Sequence, residues 1–505
     1  MSAAAEKTAT RRAFLRRAGG SLLAASLAGE LEFLAGCGSG ASASRPRWDE
    51  LSARLGRKLV RPGDRGYAQI SLPLNGRYGG VHPKGVALCA SAQDVQTAVV
   101  WAHENGVPVA VRSGGHNYAG YCVGPGLVVN VGGMRTVSID DSSGTVTSQP
   151  GARNTMIYAA LQPHNVTISA GRCPTVAIGG LVLGGGIGFS SRKMGLTCDH
   201  LVAADVVTAD GRLLTCSERE NPDVFWALRG GGGGNFGVCT SYTFATNPVA
   251  DVTLYDISWE WADAAAVFEA FQQVIQRAPE EFSARLGVGA AGNPRTGGKE
   301  PPTISALGQH FGPKDELVDL LAPALRAGRI TKQLIARRTF WQAKDYFFHT
   351  TPQIAYEVKS AYLDRPLDGV GVDVLLRALE RWPGSHNEDG AGAALFASGG
   401  AINRVPADAT AFVHRNMFAV LATETEWTLQ DSPRTVSRGL AWIEQLADRL
   451  RPHTTGAAYQ NFIDRAQPNW QTAYYGANLK RLTEIKRRYD PANVFRFQQS
   501  IPRSD

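Results

Sequence analysis

The stretch VRSGGHNYAG, residues 111–120, sets an imidazole directly after two residues that have no side chain. Gly114 and Gly115 let the backbone turn tightly, so His116 either caps that turn or touches a ligand against which the bare backbone lies. The apolar run VPVAV just before it reads as a buried strand ending in this motif.

Working outward, residues 82–248 alternate short strands with helices and are rich in glycine. GVALCA (85–90) reads as a strand. SAQDVQTAVVWAHENG (91–106) follows as a helix, with Ser91 and Asp94 in capping-box spacing. GLVVNVGG is a further strand. TVSIDDSSGTVTSQPGA reads as a hairpin about Asp-Ser-Ser-Gly, and DHLVAADVVTADGRLLTCS as one turning at Ala209-Asp210-Gly211. Hairpins mixed with helices imply an α+β region rather than a doubly wound parallel sheet. Beyond about residue 250 the glycine clusters stop and amphipathic helices appear, at 263–278 and 438–450. The tail 474–501 is a basic helix closed by Asp490-Pro491.

The 505 residues are ample for two or three domains, and 44% apolar with 19% charged residues is ordinary for a globular chain. The net charge of +7 is diffuse, with no basic run interleaved with aromatics, which argues against a nucleic-acid partner. Arg11-Arg12 before Phe14-Leu15 and a weakly apolar stretch resemble a twin-arginine export signal. LAGC (34–37) has the form of a lipobox, making Cys37 a candidate lipid anchor. The expected location is therefore periplasmic, cell-surface or secreted, with membrane contact only through the signal or the lipid. No later segment is apolar over about 18 residues, so no transmembrane helix is expected. Seven cysteines show no CxxC pair or zinc-like spacing, and no metal site is predicted. The six after Cys37 could pair as disulfides in an exported chain, although a twin-arginine route, which exports proteins folded in a reducing cytoplasm, points the other way.

Glycine, at 56 copies, is clustered at 113–115, 179–188 and 230–237. In AIGGLVLGGGIGFSSRKMG the glycines alternate with apolar anchors, a pattern that holds the backbone while leaving N–H groups open to a pyrophosphate. The order is neither a Rossmann fingerprint nor a P-loop. A large anionic cofactor explains three such clusters better than tight turns alone.

Four blocks together carry a resemblance: RSGGHNYAG, GRCPTVAIGGLVLGGGIGFSSRKMGLTCDHL, FWALRGGGGGNFGVCTSYTF and the tail. They resemble the berberine-bridge-enzyme-like branch of the FAD-linked oxidases with the vanillyl-alcohol-oxidase (PCMH-type) flavin fold, across nearly everything after the leader. The resemblance implies a PCMH-type FAD-binding domain at 81–249 and a substrate domain at 250–454, with an antiparallel sheet covered by helices. A C-terminal segment at 455–505 would return to the FAD domain; residues 1–37 are the signal and 38–80 a tether and extension. KSAYLDRPL (359–367) and GGAINRVPADATAFVHR (399–415) fit the substrate domain.

The same resemblance implies FAD bound twice covalently, by His116 at the 8α-methyl carbon and by Cys173 at C6. Imidazole and thiolate are nucleophilic enough for such bonds. It places further FAD contacts at Arg112, Ser113, Gly114, Gly115, Asn117, Gly179, Gly180, Gly184, Gly185, Gly188, Gly237, Val238 and Asn478. Tyr459, in a Tyr-x-Asn motif, would be the catalytic proton acceptor, a role that needs a nearby donor or cation because a phenol's ordinary pKa is about 10. Tyr118, Tyr121 and Lys193 are secondary pocket candidates, and Trp341 and Phe348 fit the core equally well. Ala177 stands where the family has Gly, Cys239 where it has Val, and Leu479 where an aromatic is frequent. Val176 matches oxygen-reactive members. The implied activity is hydride abstraction from an alcohol carbon of a sugar, oligosaccharide or hydroxylated natural product, with dioxygen reoxidising the flavin to give hydrogen peroxide. The alternatives are a dehydrogenase with another acceptor and a surface glycan-binding protein that has lost turnover.

Overall fold

The computed structural model describes residues 46–349 and 353–504. The expected export signal and lipobox at 1–37 lie outside the described residues.

Strands β1 (Leu59–Val60), β2 (Gly85–Leu88), β3 (Val109–Arg112) and β4 (Leu127–Asn130) form a sheet in the order β1-β2-β4-β3. β4 pairs in parallel with both β2 and β3, a local departure from the expected hairpin architecture. The reason is the crossover helix Ala92–Glu104, which carries the chain from β2 to β3 past the strand between them. Ser91 caps that helix by accepting from Asp94 N at 3.2 Å.

The second sheet holds both expected hairpins. β5 (Val137–Asp140) pairs with β6 (Thr145–Ser148). After a two-residue β7 (Val166–Thr167), β8 (Leu201–Val207) pairs with β9 (Leu213–Ser217). β10 (Val238–Ala245) lies between the hairpins, giving the order β5-β6-β10-β8-β9.

The short β11 (Asn247–Pro248) leads into seven longer strands. They are β12 (Val252–Trp259), β13 (Phe282–Ala290), β14 (Thr303–His310), β15 (Ile330–Arg338), β16 (Ala355–Leu363), β17 (Ala391–Ala397) and β18 (Ala419–Trp427). They make one sheet, β15-β12-β14-β13-β17-β18-β16, antiparallel at every pairing. Helices Ala264–Arg277, Lys314–Arg326, Gly369–Glu380 and Pro433–Leu450 cover one face. Phe271, Leu321, Leu375 and Ile443 are fully buried there against Tyr255, Phe282 and Leu286. Truncating one of these leucines to alanine costs about 2–5 kcal/mol.

The tail returns to the first part of the chain. Helix Leu479–Tyr489 buries Leu482 and Ile485 in the same core as Phe225 and Trp226. Lys486, fully buried, donates to Asp490 Oδ2 at 2.6 Å and to the carbonyls of Asn235 (2.7 Å) and Phe495 (2.5 Å). Its charge is therefore both paired and hydrogen-bonded. Arg415 likewise pins the loop after the helix Ala401–Arg404 to Asp199, at 2.6 Å.

Candidate active site

The loop after β3 is unusual in what it leaves unused. Among the described residues nothing accepts a hydrogen bond from the backbone N–H groups of Ser113, Gly114, Gly115 or His116, while that of Asn117 is taken up by the Cys122 thiol. Gly115 sits at φ +79°, and a Cβ there would meet little but Leu74 N at 3.8 Å. Successive free donors in such a turn make a concave, electropositive strip suited to an anion.

His116 and Cys173 meet across this loop. Thr175 Oγ1 lies 3.1 Å from His116 Nε2 and 3.4 Å from Cys173 Sγ. Burial, reinforced by Arg153, pushes the His116 pKa down to about 4, so its imidazole is neutral at neutral pH and keeps a lone pair. Both residues line a cavity of about 530 Å³ whose opposite wall is the uncovered face of the seven-stranded sheet.

Strand register explains that wall. Gly287 lies opposite Ser305 and Ala394, while Gly289 lies opposite Thr303 and Gly392. Glu424 continues the second row, opposite Gly392 and Val358. The wall is thus a shallow bed of small side chains, with Glu424 and Glu426 two residues apart on one face of β18. Arg285 leans over Gly287, where an added Cβ would come within 2.6 Å of its Nη1. Burial raises the Glu426 carboxyl pKa well above its ordinary value, and Glu424 and Asp389 add to the shift. Burial and Arg172 push Arg285 down to about 10, still charged at neutral pH. Tyr118 and Phe462 stack at 5.4 Å along one side, with Tyr356 edge-on to Tyr118.

Several predicted residues are placed elsewhere. Tyr459 does not line the cavity. It is 2% exposed, and its oxygen accepts from Gly186 N and Asn461 Nδ2, both at 3.0 Å. Those are the donors that a phenolate would need, yet burial dominates and raises its pKa. Its hydroxyl is thus held by two donors of the protein. Arg112 is also reassigned: its guanidinium donates to the carbonyls of Ile70, Ser71, Leu72 and Cys122, fastening the N-terminal extension. Ser113 Oγ donates to Pro150 O, and Asn117 Oδ1 accepts from Tyr121 N. Asn478 clamps the carbonyls of Ala407 and Thr410, and Val238 is core. These side chains hold the protein to itself.

The glycines divide in the same way. A Cβ at Gly114, Gly179, Gly184, Gly185, Gly188 or Gly237 would strike Ala177, Pro150, Asn461, Phe412, Ala170 or Val207, respectively. They permit close packing within the protein. Gly180, like Gly115, faces open space. Ala177 packs on Gly114 instead of entering the cavity, whereas Val176 lines it. Lys193 is paired with Glu281, Tyr121 contacts Phe497, and Trp341 is core. Cys89, Cys122, Cys198, Cys216 and Cys239 are buried thiols.

Arg172, Arg285, Glu424 and Glu426 went unrecognised in the sequence. A lone arginine in FSARLGVGA and two alternating glutamates in AVLATETEW are the available signal, charged residues on strands that are otherwise apolar.

An anion strip beside a neutral imidazole and a thiol fits FAD, and comparison with known proteins agrees. Residues 83–217 match the FAD binding domain family, and residues 458–502 match the family described as berberine and berberine like. YvdP of Bacillus subtilis, an uncharacterised FAD-linked oxidoreductase, is 34% identical over 464 residues, 90% of this chain and 99% of its own. The chain is a berberine-bridge-enzyme-like FAD oxidoreductase. Other berberine-bridge-enzyme-like proteins share its architecture. The structure of Physcomitrella patens BBE-like 1 superposes with a TM-score of 0.81 at 30% identity, covering 90% of this chain and 99% of that one. The xylooligosaccharide oxidase of Thermothelomyces thermophilus is 32% identical over 446 residues, 83% of this chain and 87% of its own. The structure of xylooligosaccharide oxidase from Myceliophthora thermophila C1 with xylobiose superposes with a TM-score of 0.77 at 26% identity, covering 90% and 99%.

Proposed function

We propose that this oxidoreductase is an exported oxidase acting on an alcohol carbon of a sugar, oligosaccharide or hydroxylated natural product, with dioxygen as electron acceptor and hydrogen peroxide as product. The observation that carries this reading is the meeting in one cavity of two nucleophiles, His116 and Cys173, with the carboxylates of β18. FAD, when bound, supplies the acceptor for the hydride that leaves the carbinol carbon.

His116 and Cys173 would hold the cofactor covalently, the first through its neutral nitrogen, and the free N–H groups of 113–116 would receive its anionic part. Glu424 removes the hydroxyl proton, the general-base role that Tyr459 is too enclosed to fill. Glu426, whose burial favours the protonated form, serves as a hydrogen-bond donor beside it rather than as the base. The bed formed by Gly287, Gly289, Gly392 and Ala394 admits a flat, hydroxylated ring, and the names of the xylooligosaccharide oxidases favour a sugar.

The test is anaerobic mixing of the holoenzyme with xylobiose and other sugars while the long-wavelength flavin band is followed. Bleaching that reverses in air with one peroxide per alcohol oxidised is the expected result. Bleaching that persists in air would instead make it a dehydrogenase, and no bleaching with any alcohol a binding protein.

A further inference from the structure

We propose that Arg172 and Arg285 form a recognition site for a carboxylate, so that the preferred substrate is a hydroxylated acid of the uronic or aldonic acid class. The inference rests on the oxidase reading for what happens to the substrate, but not for what binds.

Both arginines line the cavity. Among the described residues neither makes a hydrogen bond or an ion pair with the protein, and Arg285 Nε is buried without a partner. Other enclosed arginines are anchored by the protein: Arg112 donates to backbone carbonyls, the Arg192 Nη groups to those of Ser398, Ala278 and Pro279, and Arg415 to the Asp199 carboxylate, although Arg192 Nε is also without a partner. An enclosed guanidinium left with unused donors is costly unless something arrives to accept from them. The bed beside Arg285 is kept low by Gly287 and Gly289, which leaves room for that group.

Charge decides what arrives. The groups facing the arginines are Glu424, Glu426, Asp389, His349 and the phenol of Tyr118. Burial favours the neutral forms of Glu426 and His349, for the latter with the help of Arg172, and Asp389 is exposed. The two guanidinium groups therefore share one enclosed carboxylate, Glu424, since the other one, Asp389, lies exposed to solvent. A planar carboxylate matches the guanidinium fork, as a neutral hydroxyl does not.

Isothermal titration of the oxidised, anaerobic holoenzyme with D-glucuronate, D-gluconate and D-glucose tests the idea without requiring turnover. The acids are expected to bind at least tenfold more tightly than glucose. Arg285→Gln and Arg172→Gln should each lower that acid-to-neutral ratio about tenfold or more, with the flavin spectrum reporting correct folding. Lys193→Gln, which removes a cation outside the cavity, should leave the ratio within twofold. Equal binding of acids and glucose, or a ratio unmoved by both arginine variants, overturns the proposal. So does a fall in flavin midpoint potential with the ratio intact, which would assign the arginines to the cofactor. Binding of glucuronate without its oxidation would leave this site standing and refute the oxidase reading instead.

Discussion

Thr175 stands between His116 and Cys173, its hydroxyl oxygen 3.1 Å from His116 Nε2 and 3.4 Å from Cys173 Sγ. One hydroxyl thus contacts both nucleophiles. Intact mass under denaturing conditions should show FAD retained in His116→Ala and in Cys173→Ala, and lost in the double variant. Thr175→Val should keep both anchors yet lower the covalently loaded fraction, because neither side chain is then oriented.

Replacing Glu424 by Gln should lower kcat by roughly 10²–10⁴-fold with the flavin spectrum unchanged, the usual contribution of a general base. Glu426→Gln should cost less than tenfold at neutral pH, since a protonated carboxyl and a carboxamide are both neutral. Comparable losses in the two variants would remove the distinction between them.

For Tyr459→Phe the expectation is a structural loss. Gly186 N–H and the Asn461 amide lose their acceptor, and stranding a buried donor costs about 1–3 kcal/mol. Thermal unfolding should occur at lower temperature, while the remaining folded enzyme turns over within tenfold of the original. A thousandfold fall in kcat at full stability would restore Tyr459 as the base.

His414 supplies a pH dependence. It is buried, with Nε2 3.2 Å from Tyr474 O, and burial pushes its pKa down to about 4. The unfolded chain takes up this proton near pH 6.5 and the folded chain only near 4, so stability falls as pH drops through that window. The shift corresponds to roughly 3 kcal/mol. His414→Asn should flatten the dependence of melting temperature on pH between about 6.5 and 4; parallel curves would exclude the assignment.

Gly180→Ala and Gly188→Ala separate cofactor space from packing. A methyl group at 188 overlaps the Ala170 carbonyl, so that variant should not fold. At 180 nothing lies within 4 Å, so the variant should fold normally but carry less FAD if the cofactor occupies that space.

Local patterns in the sequence were enough for the Ser91 cap and the two hairpins, because each depends on residues close in the chain, whereas the return of the tail came only with the family resemblance. The motifs also singled out His116 and Cys173, which line one cavity. The cavity wall was not. Arg285 reaches the cavity only because β13 pairs with β17 in a register that sets it opposite Phe396, and no local signal fixes that register. Glycine misled for a related reason. Gly185 and Gly180 look alike in the sequence, yet one makes room for Phe412 and the other faces open space.

Phe462 gives the cavity a temporal property. Its other walls come from residues 116–189 and 283–426, so the enclosure lacks a side until residue 462 has been synthesised and folded back. Cofactor capture therefore belongs after translation of nearly the whole chain, and a ribosome stalled before that point would hold a protein with both nucleophiles made but no closed chamber in which to use them.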